Sequence, residues 1–276
     1  MLTPNYPDIL QTLMQVNFNK FCTFAIRMKE QEQKSEWFED WFNTPYYHIL
    51  YKNRNYEEAE FFMRNLVAYL QITPAHKVLD LACGKGRHAI FLNKLGLDVT
   101  GADLSPNSIA EAGKSENKRL HFLVHDMREA IPGAHFDFIV NLFTSFGYFD
   151  TQEDNQQVLN AIHQMLVPGG KLVIDFFNVE KVVRNMVPAE HKNIEGIDFH
   201  IEKHWDGTHI YKKISFEDNG ESFSFTERVQ GLRLSDFQRL LLKSDFEITD
   251  TFGDLHLHPF DIHESDRLII IATKRS

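Results

Sequence analysis

The 276-residue sequence predicts an α/β fold: a doubly wound, mostly parallel seven-stranded sheet with a small antiparallel β insertion after its fifth strand. Three observations predict it. Five short apolar runs alternate with stretches whose apolar residues recur at helical spacing. The first run, Lys77 to Leu81, breaks into the glycine turn Gly84-Lys85-Gly86. After the fifth run the period changes to two, and Asp206-Gly207 and Asn219-Gly220 supply two-residue turns, which mark hairpins and not strand-helix-strand units.

Taken in order, Trp37 and Trp41 stand four apart, as do Phe38 and Phe42, so each pair shares one side of a helix. Thr44-Pro45 reads as an N-cap with proline at the first helical position, opening a helix that carries Tyr46, Tyr47, Tyr51 and Arg54. Packing over the main sheet accounts for most of these rings, because aromatic side chains bury so much area. A further helix, Glu57 to Gln71, leads through Pro74 into the first strand. After the glycine turn, Arg87 to Leu95 is helical, and Asp98 to Ala102 forms a second strand ending at Asp103. Ser105-Pro106 caps the next helix. Leu120 to Val124 and Phe136 to Leu142 are the third and fourth strands. Thr151 with Asp154 resembles a capping box for a helix that runs to Leu166, where Pro168-Gly169-Gly170 stops it. Lys171 to Phe177 is the fifth strand. Three antiparallel strands are expected within residues 196–234, then a helix capped by Ser235 and Gln238, and two closing strands at Phe246 to Phe252 and Leu268 to Thr273.

Composition narrows the function classes. With 43% apolar and 25% charged residues the chain is an ordinary globular protein, and its length suits one α/β domain with an elaboration. A net charge of −10 with no long Lys/Arg run argues against a nucleic-acid partner. Cys22 and Cys83 do not make a disulfide framework and point to a reducing, cytoplasmic setting. No stretch approaches the roughly 20 apolar residues of a membrane span. Residues 1–34 lack the basic start of a signal peptide and read as a dispensable extension, with Met28 as an alternative start. Residues 35–276 then form the domain, 35–72 being its aromatic N-terminal helices.

The glycine turn carries the first functional signal. Strand, turn and helix in that order aim free backbone N–H groups and a helix N-terminus at whatever lies over the turn, which favours ligands rich in acceptors. Gly84-Lys85-Gly86-Arg87-His88-Ala89 also satisfies the dinucleotide pattern, so NAD is a rival, and an ordinary β-turn-α is another. Asp80, Asp103 and Asp126 close the first three strands, each 23 residues after the last. Such strand ends share one crevice in a doubly wound sheet. Asp103 suits a ribose diol under either cofactor, because a carboxylate accepts from two neighbouring hydroxyls.

From Tyr46 to Lys274 these residues resemble the class I S-adenosylmethionine-dependent methyltransferases. The resemblance implies a Rossmann-like fold closed by an antiparallel hairpin, and it places Asp126 and Met127 at the adenine. It implies S-adenosyl-L-methionine held by Arg54, Asp80, Ala82, Gly84, Gly86, Asp103, Leu104, Asp126, Met127 and Leu142. Arg54 is assigned to the methionine carboxylate, with Arg87 as second candidate. The antiparallel insertion resembles that of small-molecule N-methyltransferases, implying in-line methyl transfer to the nitrogen or oxygen of a small-molecule acceptor. Tyr46, Tyr47, Phe146 and Tyr148 are the rings expected nearest the sulfonium. Tyr47 or His256 is the side chain to receive an acceptor proton. An NAD-dependent oxidoreductase and a non-catalytic S-adenosylmethionine-binding protein are the alternatives.

Two further constellations were weighed. Asn141-Leu142-Phe143-Thr144-Ser145-Phe146-Gly147-Tyr148 lacks the N-P-P-Y type motif of base-amino methyltransferases, and no cysteine is placed for cytosine-carbon chemistry. His256, His258 and His263 lie in an acidic loop, which reads as a solvated loop or as one histidine lining the pocket; no metal is expected.

Overall fold

The computed structural model describes residues 37–52 and 56–275. The expectations for residues 1–34, Met28 included, and for Arg54 lie outside the described residues.

Two short helices, α1 (Trp37–Phe42) and α2 (Pro45–Leu50), come first. Thr44 caps α2 as its sequence implies, its hydroxyl accepting from the Tyr47 N–H. Helix α3 (Tyr56–Tyr69) precedes β1 (Lys77–Leu81), and α4 (Arg87–Lys94) follows the glycine turn. Then come β2 (Asp98–Asp103), α5 (Pro106–Ala112) capped by the Ser105 hydroxyl, β3 (Leu120–Val124), β4 (Phe136–Asn141), α6 (Gln152–Met165) capped by Thr151, and β5 (Leu166–Phe177). After α7 (Val179–Arg184) a second sheet is inserted, made of β6 (Ala189–Ile194), β7 (Ile197–Trp205), β8 (His209–Asp218) and β9 (Glu221–Gln230). Helix α8 (Leu234–Lys243), β10 (Phe246–Phe252) and β11 (Arg267–Lys274) complete the chain.

The main sheet has the order β10-β11-β5-β4-β1-β2-β3, and only β11 runs antiparallel to its neighbours. Alternation along each strand sends side chains to opposite faces. Leu79, Leu81, Ile139 and Ile174 pack with Val158 and Ile162 of α6 and Phe237 and Leu241 of α8. Val78, Val99, Phe138 and Val173 pack with Phe62 and Leu66 of α3 and Phe91 and Leu92 of α4. A third cluster joins Trp41 and Leu50 to Phe199, Ile201, Ile214 and Phe216 of the inserted sheet. Phe216 pairs directly with Phe223, and Ile214 with Phe225, so these rows share one face.

Several boundaries differ from expectation. The insertion has four strands and spans 189–230, not three within 196–234. Strand β6 escapes the period-two reading because Ala189–Ile194 is a polar edge strand, and its turn is Glu195-Gly196, with φ of 54° and 86°. The Asp236 carboxylate accepts from the Arg233 N–H, so α8 starts ahead of the expected Ser235 cap. Helix α6 ends at Met165, and Pro168-Gly169-Gly170 forms an irregularity inside β5 where the register with β4 shifts. The short helix α7 had no sequence signal that was recognised.

Candidate active site

The carboxyl ends of β1, β2 and β4, the segment after β3, and the first two helices enclose a cavity of about 390 Å³. Of the residues assigned to the cofactor, Ala82, Gly84, Asp103, Leu104, Asp126, Met127 and Leu142 line it, as does the catalytic candidate Tyr47. The turn takes left-handed backbone at Ala82 (φ 61°), Gly84 (φ 56°) and Gly86 (φ 77°). A Cβ on Gly84 would meet no protein atom within 4 Å, so the space beside this cavity-lining backbone is open. Gly86 differs. A Cβ there would fall 2.6 Å from the ring of Phe122, and Gly86 is not among the lining residues: its lack of a side chain serves packing.

The three strand-end acids have distinct environments. Asp103 bridges the turn and its own strand end, with Oδ2 accepting from the Gly84 N–H at 2.8 Å and Oδ1 from the Ser105 N–H at 2.9 Å. Burial raises its pKa, and these two bonds oppose the rise. Asp126 is gripped by Arg128, whose Nη2 donates to Oδ2 at 2.6 Å and whose Nε lies 3.0 and 3.1 Å from the two oxygens. Burial pushes the Asp126 carboxyl up, but the Arg128 bonds and charge outweigh it and hold the group below its usual range. Asp80 does not line the cavity. It is 1% exposed, on the α4 side of β1, and Oδ2 accepts from the Ala89 N–H in the first turn of α4. Burial, with the Asp103 charge adding to it, raises its pKa to about 7. Cys83 lines the cavity, but burial pushes its thiol well up, so it is no nucleophile.

The opposite wall is aromatic. Phe42, Tyr47, Tyr51 and Tyr148 line it, with Phe42 and Tyr47 centroids 4.7 Å apart and Tyr47 and Tyr51 4.9 Å apart. Two rings expected there lie elsewhere: Tyr46 packs on Phe216 and Phe223 and donates to Asp218, and Phe146 is fully buried against Phe237. His256 is also absent from the lining. Its ring rests on Phe61 at 4.6 Å and beside His258, which bonds Asp254. The loop between β10 and β11 lies against α3, where the Asn65 amide donates to the Leu255 carbonyl, which explains why His256 does not reach the cavity. Among the described residues no three His, Cys, Asp or Glu side chains form a group able to hold a metal ion.

Several lining residues had not been singled out for the site: His48, Lys52, His88, Ser108, His125, Phe143 and Ser145. Tyr51 had a usable signal, since it stands four residues after Tyr47 and therefore on the same helix face. Phe143 had none, because its left-handed backbone (φ 56°) is carried by a non-glycine residue.

These residues suit S-adenosylmethionine. Gly84 leaves room beside the backbone, and the Asp103 and Asp126 carboxylates, both on the cavity lining, are acceptors of the kind a ribose diol and an adenine amino group call for. Comparison with known proteins agrees. A family model described as a methyltransferase domain matches residues 78–170. The chain is 29% identical over 214 residues to a glycine/sarcosine N-methyltransferase of Halorhodospira halochloris, covering 75% of this chain and 77% of that protein. It is 28% identical over 282 residues to a glycine/sarcosine N-methyltransferase of Parasynechococcus marenigrum, covering 99% and 95%. A S-adenosylmethionine-dependent methyltransferase from Clostridium acetobutylicum shares the fold, with a TM-score of 0.71 at 17% identity over 84% of this chain and 96% of that one. The segment matched by the family model holds Asp80, the glycine turn, Asp103, Asp126 and Leu142, and the chain is an S-adenosylmethionine-dependent methyltransferase.

Proposed function

We propose that this methyltransferase acts on the nitrogen of a small amine acceptor. The observation that carries the reading is the two-sided cavity: strand-end acids and the glycine turn on one side, a wall of tyrosine and phenylalanine rings on the other. The nitrogen is suggested by the two bacterial relatives, which are glycine/sarcosine N-methyltransferases. The small-molecule class agrees with the net charge of −10, which disfavours nucleic acid, and among the described residues no helix is long and apolar enough to cross a membrane. We place the enzyme in the cytoplasm on its cysteine usage.

S-adenosylmethionine supplies a sulfonium-bound methyl group as the electrophile. The protein's task is then to hold the acceptor nitrogen in line with that methyl and to exclude water. Ala82, Gly84, Asp103, Asp126 and Leu142 hold the cofactor side. Phe42, Tyr47, Tyr51 and Tyr148 present ring faces, each worth about 0.5–2 kcal/mol to a nearby cation. An ammonium acceptor must lose a proton before its lone pair attacks. Tyr47, as its phenolate, takes that proton and becomes the neutral phenol, and His256, placed outside the cavity, is set aside.

The test is a screen of small amines, beginning with glycine and sarcosine, with products identified by mass spectrometry. N-methylated product from any amine supports the reading; methylation confined to hydroxyl or carboxylate acceptors would overturn it. Tyr47→Phe should lower kcat/KM for the best amine by about a hundredfold, at the lower end of the range for a proton-transfer partner, while the Kd for S-adenosylhomocysteine is unchanged.

A further inference from the structure

Directly after β4, Phe143 and Thr144 are consecutive non-glycine residues in left-handed backbone, with φ of 56° and 62°. For a β-branched threonine this is an uncommon and costly conformation, and it persists only where surrounding groups impose it. Asp175 and Arg267 impose it. Asp175, on β5, is fully buried; its Oδ2 accepts from the Phe143 N–H at 2.8 Å and its carbonyl from the Thr144 N–H at 2.9 Å. The other carboxylate oxygen accepts from Nε of Arg267 at 2.6 Å, and Arg267 Nη2 lies 3.4 Å from the Thr144 hydroxyl. Arg267 opens β11, whose pairing with β5 sets Ile269 opposite Asp175 and brings the guanidinium alongside.

What the turn presents is the ring of Phe143, which lines the cavity. His88 stacks on it at 5.0 Å with the planes 14° apart, and the Arg87 guanidinium sits 4.8 Å from its centroid. Both residues belong to the first turn of α4, immediately after the glycine turn. The strained backbone therefore sets the position of a side chain through which the end of β4 touches the head of the cofactor-loop helix. We propose that Asp175 and Arg267 are positioning residues of the cofactor site: the ion pair of the buried Asp175 with the part-buried Arg267 holds the Phe143-Thr144 backbone left-handed, and so keeps Phe143, Arg87 and His88 in the arrangement that binds S-adenosylmethionine.

The proposal rests on the cofactor assignment and is tested by calorimetry with S-adenosylhomocysteine. If the wild-type protein fails to bind that probe, the cofactor assignment fails, not the positioning role alone. With wild-type binding in hand, Asp175→Asn should raise Kd at least tenfold in a variant that still melts cooperatively. Glycine at 144 relieves the strain, so Asp175→Asn combined with Thr144→Gly should recover at least a third of the lost affinity on a logarithmic scale, measured against Thr144→Gly alone. A general packing role would not be restored in this way. A folded Asp175→Asn variant with Kd within twofold of wild type, or one whose loss glycine does not restore, overturns the proposal. Should Asp175→Asn not fold, Arg267→Lys decides: it retains the cation but not the Nε geometry, and a Kd raised at least threefold supports the role, whereas a smaller change overturns it.

Discussion

At Gly86 an added methyl would press on the ring of Phe122 from 2.6 Å, whereas at Gly84 it would meet no protein atom, although both residues need positive φ. The two alanine variants should therefore separate stability from binding. Left-handed alanine costs about 1 kcal/mol, and forcing a buried contact adds roughly 1–3 kcal/mol. Gly86→Ala should lose about 2–4 kcal/mol in urea unfolding. Gly84→Ala should lose about 1 kcal/mol, yet weaken S-adenosylhomocysteine binding markedly in calorimetry. Asp80 gives the pH prediction. Its folded pKa of about 7 lies above the ordinary carboxyl value of 3.8, so between those values the folded state binds more protons than the unfolded one. The contribution is fully favourable below about pH 4 and is lost as pH rises through 7, amounting to at most about 4 kcal/mol. Asp80→Asn should accordingly flatten the pH dependence of Tm between pH 4 and 8. A variant whose profile parallels wild type would show that another group governs this window.

At the scale of elements, the aromatic wall comes from α1, α2 with its C-cap Tyr51, and Tyr148 between β4 and α6, and the part from the two helices is registered by the inserted sheet. Glu227 of β9 accepts from the Trp41 indole at 2.7 Å and from the Tyr51 hydroxyl at 2.7 and 2.8 Å, and Lys212 of β8 donates to that same hydroxyl at 2.5 Å. Lys52 adds an ion pair to Glu195, and Tyr46 a hydrogen bond to Asp218. The Lys212 and Glu227 side chains are 17% and 14% exposed, so neither charge is well solvated alone, and burial lowers the Lys212 pKa. Glu227→Ala should cost about 2–3 kcal/mol, less than a fully buried pair would, and adding Lys212→Met should return part of that loss by removing the orphaned ammonium. In the same variant KM for the amine should rise while the Kd for S-adenosylhomocysteine stays near wild type, because the network touches the wall and not the strand ends. Equal effects on both ligands would place the network under the whole cavity.

At the scale of the whole molecule, ligand binding and stability are linked. A ligand that binds only the folded state, at a hundred times its Kd, adds about 2.7 kcal/mol, or several degrees in Tm for a chain of this size. S-adenosylhomocysteine should produce that shift and NADH should not. The discriminating acid is Asp126, since the glycine pattern and Asp103 serve either cofactor; a shift with NADH alone would restore the oxidoreductase reading. Three apolar clusters, two on the faces of the main sheet and one under the inserted sheet, leave the cavity at the carboxyl edge of the first and beside the third.

Local chemistry was legible wherever a residue's own neighbours in sequence determine its state. The strand-turn-helix at Lys77 to Leu95, the Thr44, Ser105 and Thr151 caps and the hairpin turn at Asn219-Gly220 all depend on spacing, backbone angle or a side chain reaching three residues ahead, and the structure forms each of them. The hairpin expected at Asp206-Gly207 also forms, with its two-residue turn one place on, at Gly207-Thr208, because Asp206 pairs with His209. Asp103 and Asp126 were legible for the same reason, since the doubly wound topology sends successive parallel strand ends to one crevice, whereas Asp80 is buried against α4 and stays out of the cavity lining. Long-range contacts were not. Strand β6 is polar and gains its conformation from pairing with β7, and His256 sits on Phe61 because the β10–β11 loop packs on α3. Phe143 and Thr144 carry no glycine to announce their left-handed backbone, since the force that holds it comes from Asp175, 32 residues away, and from Arg267, 123 residues from Thr144. By itself the sequence determined where the cofactor loop lies and which acids surround it, because those are properties of strands and turns. Only the tertiary structure decided which rings face the acceptor and what holds them there, because those positions are set by contacts between elements far apart along the chain.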